Sequence, residues 1–143
     1  MTNQKIYEGA LKVLAETSDM ADNEDYEVRA PYLIAAFCSE TEEVDSAYRK
    51  ANGMGEAQKV NDVYLPLESN FPRAPRFASA ACIYLASMLI IDTAPELSER
   101  LYDKFSDMLA TICASIPQPE EPESEIEPVP VAVIENIIDR YGF

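Results

Sequence analysis

The strong nucleophiles of this chain are three cysteines, Cys38, Cys82 and Cys113, and no histidine stands anywhere in its 143 residues to activate them or a serine. Nucleophilic catalysis of the Ser-His or Cys-His kind needs that base. The four glycines form no phosphate-cradling loop. Glu42-Glu43 and Glu120-Glu121 are adjacent carboxylates that could exchange protons. Acid and base work at neutral pH, however, asks for an apolar pocket that shifts their ionisation. The first pair falls on a polar helix face and the second in a proline-rich stretch, so both read as solvated charge. A metal site needs clustered ligands, and the chain has neither a CxxC motif nor histidine. The residues therefore predict no enzyme, no cofactor and no metal site. The cysteines are odd in number, far apart and set within apolar helical patterns, which predicts free core thiols and a reducing cytoplasm.

What remains is binding chemistry. Arg73 and Arg76 flank Pro75 in FPRAPRF, at the start of an expected helix, where the helix dipole disfavours positive charge. Placement against that local cost points to a partner; the alternative is pairing with a carboxylate of the same chain such as Glu68. The second candidate is C-terminal. Val131, Ile134, Ile138 and Tyr141, with Ile137 beside them and Phe143 at the end, make an apolar stripe in residues 131–143. An isolated helix of about 13 residues is marginal in water, so this arm needs a surface to lie on. That surface is expected on a neighbouring subunit or partner, the alternative being its own domain. A strand at Val129–Ile134 added to another chain's sheet edge would use the same residues.

Charge sets the kind of partner. Twenty-six acidic residues against 11 basic ones leave a formal charge of −15. Direct binding to nucleic acid or anionic lipid needs a basic footprint, so neither is expected. The acid suits a basic partner or a surface that repels DNA, or it serves colloidal stability alone. The first 16 residues intersperse Lys5, Glu8, Lys12 and Glu16 and so lack the unbroken apolar run of a signal peptide. The longest apolar stretch, Ala78–Ile91, is shorter than the roughly 20 residues that cross a bilayer.

The elements that position these residues are read from periodicity. Ile6, Ala10, Val13 and Leu14 share one face of a helix over Gln4–Glu16, and the polar run from Thr17 to Asp25 ends it. Pro31 predicts the start of a second main helix running to about Lys50, with Tyr26–Ala30 at most a short turn before it. Asn52-Gly53 should end that helix. Met54–Arg76 carries three of the ten prolines and is expected as an irregular connector, with a brief strand at Val63–Leu65 as an option. A connection this long is usually functional. Phe77 to Ile91 predicts a helix apolar over much of its circumference, hence central. Thr93-Ala94-Pro95-Glu96 reads as a capping box opening an amphipathic helix through Leu97, Leu101, Phe105, Leu109 and Ile112, folded back as an antiparallel hairpin. Residues 116–130 hold five prolines, five glutamates and no base, and predict an extended acidic linker. The fold class expected is all-α: a small helical bundle with a long irregular connector in residues 1–115, the linker 116–130, and a short C-terminal docking helix in 131–143.

DYEVRAPYLIAAFCSETEEVDSAYRK (Asp25–Lys50), followed by LPLESNFPRAPRFASAACIYLASMLIIDTAPELSERLYDKFSDML (Leu65–Leu109), resembles the small helical head-tail connector, or adaptor, proteins of long-tailed bacteriophages and prophages. The shared pattern is a proline-led helix, an irregular connector and a small-residue-rich helical hairpin, over about two-thirds of the chain. The acidic linker and terminal arm depart from it. The resemblance implies a ring of identical subunits, usually twelve in the particle, beneath the portal and around the DNA channel. It places the protein in the virion neck after synthesis in the bacterial cytoplasm, with the portal and tail-side neck proteins as partners and no sequence-specific nucleic-acid binding or membrane. An acidic lumen would then let DNA slide without sticking. The competing reading is an acidic DNA mimic or inhibitor that covers the basic site of another protein, and a third is a general scaffolding subunit without a channel.

Overall fold

The computed structural model describes residues 1–17 and 24–117. Among them the chain forms five α-helices: α1 (Asn3–Thr17), α2 (Glu24–Glu40), α3 (Glu42–Ala51), α4 (Ala78–Leu89) and α5 (Pro95–Ser115), with a single 3₁₀ turn at Pro75–Phe77. The all-α bundle expected from periodicity is present. The strand considered at Val63–Leu65 is not; the described residues contain no strand, only an isolated pairing of Thr2 with Asn70.

α4 is the central helix, packed against α5, α1 and α2. Its sequence explains why: Ala80, Ala81, Ile83, Leu85, Ala86 and Leu89 are apolar and buried on several sides of the helix. Small residues let neighbours approach. At Gly9 of α1 an added Cβ would lie 2.5 Å from the Cys82 sulfur, so a side chain there would have to displace that sulfur. Between α4 and α5, Ser87 Oγ donates to the Ser98 carbonyl at 2.7 Å and Ser98 Oγ donates to that of Ser87 at 2.8 Å. This reciprocal pair sits beside the turn and fixes the antiparallel hairpin.

Three local readings change. Pro31 lies inside α2 and does not open it. A mid-helix proline costs roughly 3 kcal/mol, but the turn before it is anchored by tertiary contacts. Tyr26 and Ala30 are buried. Arg29 pairs with Asp25 at 2.6 Å and donates to the Leu89 carbonyl at 2.7 Å, satisfying an acceptor at the end of α4. The helix expected to reach Lys50 without interruption breaks at Thr41, whose hydroxyl donates to the Phe37 carbonyl at 2.8 Å. Such back-bonding bends helices. The capping box is not formed either: Ala94 is the N-cap of α5, with no side-chain cap bond, and Thr93 Oγ1 turns back to the Ile90 carbonyl at 3.4 Å. Pro95 does open the helix, and Asn52 with Gly53 at φ +66° does close α3.

Residues 52–74 run without regular structure across one side of the bundle, and their backbone bonds tie them to it. Asn3 N–H donates to the Ser69 carbonyl at 2.9 Å and Gln4 N–H to that of Leu67 at 2.7 Å, so the connector satisfies the first donors of α1. Phe71 N–H donates to the Met1 carbonyl at 2.9 Å, and Leu65 N–H to that of Pro31 at 3.1 Å. The aromatic core centres on Phe37, whose ring lies 6.2 Å from Phe71 and 6.0 Å from Phe105.

Candidate interaction surface

Arg73 holds the connector in place. Its side chain is completely buried between the α2–α3 corner and the connector. Nε and Nη2 donate to the Cys38 carbonyl at 2.9 and 2.7 Å, and Nη1 to the Gln58 carbonyl at 2.8 Å. Nη1 also lies 3.3 Å from Asp45 Oδ2 and 3.1 Å from the Pro72 carbonyl. Asp45, equally buried, accepts from Ala74 N–H at 3.1 Å through Oδ1 and from Arg49 Nε at 2.9 Å through Oδ2. Glu42 stands 3.8 Å from Arg73 and accepts from Val60 N–H at 3.3 Å. Only a planar guanidinium presents donors in the directions these acceptors require. The break at Thr41 has a use here, since Arg73 donates twice to the carbonyl of Cys38 beside it.

This placement corrects the partner reading of Arg73: its donors are spent inside the fold, and no part of the side chain reaches the surface. The same-chain pairing considered for it is met by Asp45 and Glu42 in place of Glu68. Arg76, by contrast, is exposed in the 3₁₀ turn that opens α4. Pro75 separates two arginines with opposite fates. Val131, Ile134, Ile137, Ile138, Tyr141 and Phe143 lie outside the described residues, as does the acidic linker beyond Pro117.

Held by this clip and by the bonds to α1 and α2, the connector presents an apolar patch that periodicity did not single out. Val63 is 75% and Tyr64 40% exposed, and on the facing turns of α2 Val28 is 67% and Tyr32 52% exposed. Val28 and Tyr32 stand four residues apart on one helix face. The Tyr32 and Tyr64 rings meet edge to face at 5.0 Å, which joins helix and connector into one surface. Tyrosine and apolar side chains gathered on an otherwise charged exterior mark protein contact surfaces. A visible signal existed: Val28 and Tyr32 fall off the stripe that Ala30, Ile34 and Phe37 bury.

The three cysteines are shielded in this arrangement. Burial pushes the Cys38 thiol up to about 12 and that of Cys82 up to about 11, and it raises Cys113 as well, so all three stay protonated at neutral pH. They are free thiols. Among the described residues no group of three or more histidine, cysteine, aspartate or glutamate side chains is placed to hold a metal ion, and no helix is long and apolar enough to cross a membrane. A shallow cleft of about 450 Å³ gathers Arg49, Lys50 and Lys59, but Arg49 is already engaged by Asp45 and Glu42 and Glu56 share the rim. Comparison with protein-family models, with curated proteins and with solved structures finds no match to this chain.

Proposed function

We propose that this protein is a structural assembly subunit, a head-tail connector or adaptor that forms a ring of identical copies beneath a phage portal, around the DNA channel. The observation that carries the reading is the clipped connector. A segment of more than 20 residues without regular structure is costly to order, yet a buried Arg73–Asp45 pair and backbone bonds to α1 and α2 hold it in one shape. That ordering sets the exposed Val63 and Tyr64 beside Val28 and Tyr32 of α2, a surface that fits a fixed protein neighbour. The all-α hairpin architecture agrees with the resemblance seen in the sequence. The charge of −15 suits a subunit that lines a passage for DNA, because a basic wall would hold the phosphates. Portal and tail-side neck proteins are the neighbours above and below, and no catalytic step is part of the role.

The experiment is to replace Tyr32 and Tyr64 with serine together and to follow mass against concentration by light scattering. In the ring reading the wild-type protein associates, alone or on the portal, and the double variant associates at least ten-fold more weakly while keeping its helical circular dichroism. The competing DNA-mimic reading gives a different result: a compact monomer or dimer that binds a basic enzyme, with affinity that collapses as salt rises and is indifferent to the tyrosines.

A further inference from the structure

The exposed apolar patch has an acidic border. Beside it a hollow of about 340 Å³ lies between the start of α1, α2 and the connector, lined by Gln4, Glu27, Pro31, Tyr64, Leu67 and Glu68. Glu27 precedes Val28, and Glu68 shares the hollow with Tyr64. Both carboxylates are exposed, and neither is engaged by the described residues. Arg29, a base close in sequence, is held by Asp25 and the Leu89 carbonyl. A partner that covers Val28, Tyr32, Val63 and Tyr64 must therefore bring bases to meet Glu27 and Glu68. Two copies of the patch set face to face would bring acids from both sides, which electrostatic complementarity disfavours.

A surface of the complementary kind stands elsewhere on the same chain. Past the end of α2, α3 and the connector enclose the cleft of about 450 Å³, where the exposed Met54 lies with Lys50 and Lys59. Both lysines are exposed and unengaged by the described residues. Arg49 is paired with Asp45, and Glu42 is drawn to Arg73 and the Val60 amide, which leaves Glu56 against two lysines. The other exposed bases fit less well. Arg100 shares its hollow with Glu96, Lys104 stands beside Asp103 and three residues before Asp107, and Arg76 is a single charge on its turn. The patch and the cleft share no residue, and roughly 12 Å of α2 separates Tyr32 from Glu40 at its end.

We infer that the Val28, Tyr32, Val63 and Tyr64 patch of one copy seats on the Met54 cleft of the next, with Glu27 and Glu68 meeting Lys50 and Lys59. Val63, the most exposed large apolar side chain among the described residues, is the one offered to the cleft. The inference rests on the assembly reading that copies of this chain meet, and it names the faces that do so. Because the two faces differ, the contact runs head to tail, the kind that closes into a ring when the rotation between copies completes a circle. Apolar burial at the centre supplies affinity, and the charged border fixes which face is accepted.

The test uses the full chain in four forms: wild type, Glu27→Lys with Glu68→Lys, Lys50→Glu with Lys59→Glu, and all four changes combined. Mass is read by light scattering against concentration, with circular dichroism on the same samples to show that these exposed substitutions keep the fold. The contact predicts that either pair of reversals weakens association about ten-fold, and that the combined form, with a basic patch and an acidic cleft, recovers it. Mixing the two paired variants in equal amounts should recover it as well, since each offers the other the opposite charge. In the wild type, a carbodiimide, which joins amine to carboxylate without a spacer, should link Lys50 or Lys59 of an isotope-labelled copy to Glu27 or Glu68 of an unlabelled one, as read by mass spectrometry. A defined oligomer unmoved by either pair and lacking that link would overturn the contact and leave the ring standing. Association that responds and recovers but grows without limit would keep the contact and overturn the ring, because an unclosed head-to-tail contact builds a filament. A wild-type protein that stays monomeric at every concentration would overturn the contact, and its behaviour on the portal would then decide the ring alone.

Discussion

Replacing Asp45 with alanine probes the element on which the connector depends. In the folded protein Asp45 accepts from Arg73, Arg49 and the Ala74 amide, and both it and Arg73 are without solvent contact. Removing the carboxylate leaves a buried guanidinium with Glu42 at 3.8 Å as its nearest remaining acid, itself one-third exposed. Breaking one side of a buried pair costs about 3–5 kcal/mol, because the surviving charge stays desolvated. For a chain of this size that corresponds to a fall in Tm of about 12–20 °C, at about 4 °C per kcal/mol. Urea and thermal melts followed by circular dichroism at 222 nm read it directly. Two controls give the number meaning. Glu42→Gln, at a screened and longer contact, should cost less than about 1 kcal/mol. Asp45→Ala combined with Arg73→Met should recover a large part of the loss, since no unpaired charge is then buried. An Asp45→Ala variant no less stable than Glu42→Gln, or a double variant worse than the sum of its parts, would refute the clip as the element that orders residues 52–74.

Gly9→Ala should destabilise by about 1–3 kcal/mol through the clash with Cys82, and Cys82→Ala should relieve it. On the Cys82→Ala background the same substitution should turn stabilising by up to about 1 kcal/mol, as helix propensity then acts alone; chemical denaturation reads both signs. Iodoacetamide at pH 8 should label the native thiols slowly, Cys38 slowest, and label all three within minutes once urea unfolds the chain. The same groups set an alkaline limit. A thiol raised in the folded state contributes stability that is complete below its unfolded value near 9 and is lost as pH rises through about 11 for Cys82 and about 12 for Cys38, so melts between pH 8 and 11 should show falling Tm. Arg76→Glu, on an exposed side chain, should leave stability within about 0.5 kcal/mol of wild type, and any loss of association it causes would place the 3₁₀ turn in the interface.

The bundle was legible because its signals are repeated many times. α4 declares itself by being apolar over much of its circumference, α5 by Leu97, Leu101, Phe105, Leu109 and Ile112 at helical spacing, and the end of α3 by an Asn-Gly pair whose glycine alone adopts positive φ among the described residues. The misreadings fall where a single residue was asked to decide a boundary. Pro31 is overruled by the burial of Tyr26 and Ala30 and the bonds of Arg29, and Thr93 by a proline that starts α5 two residues later. The site was half legible. The odd position of Arg73 and Arg76 was apparent, but no pattern assigns opposite surroundings to two arginines three residues apart. Asp45 was hidden because its four-residue spacing from Arg49 looks like an ordinary surface ion pair. Only the fold, by bringing residue 73 beside residues 38 and 45, turns that pair into the floor of a buried network.

If the protein forms a ring in a portal neck, as we propose, its native mass tests that most directly. By light scattering across a concentration series, with and without a phage portal protein, the proposal predicts a defined large oligomer or co-migration with the portal ring. A monomer at every concentration, unmoved by salt and blind to the portal, would contradict the account.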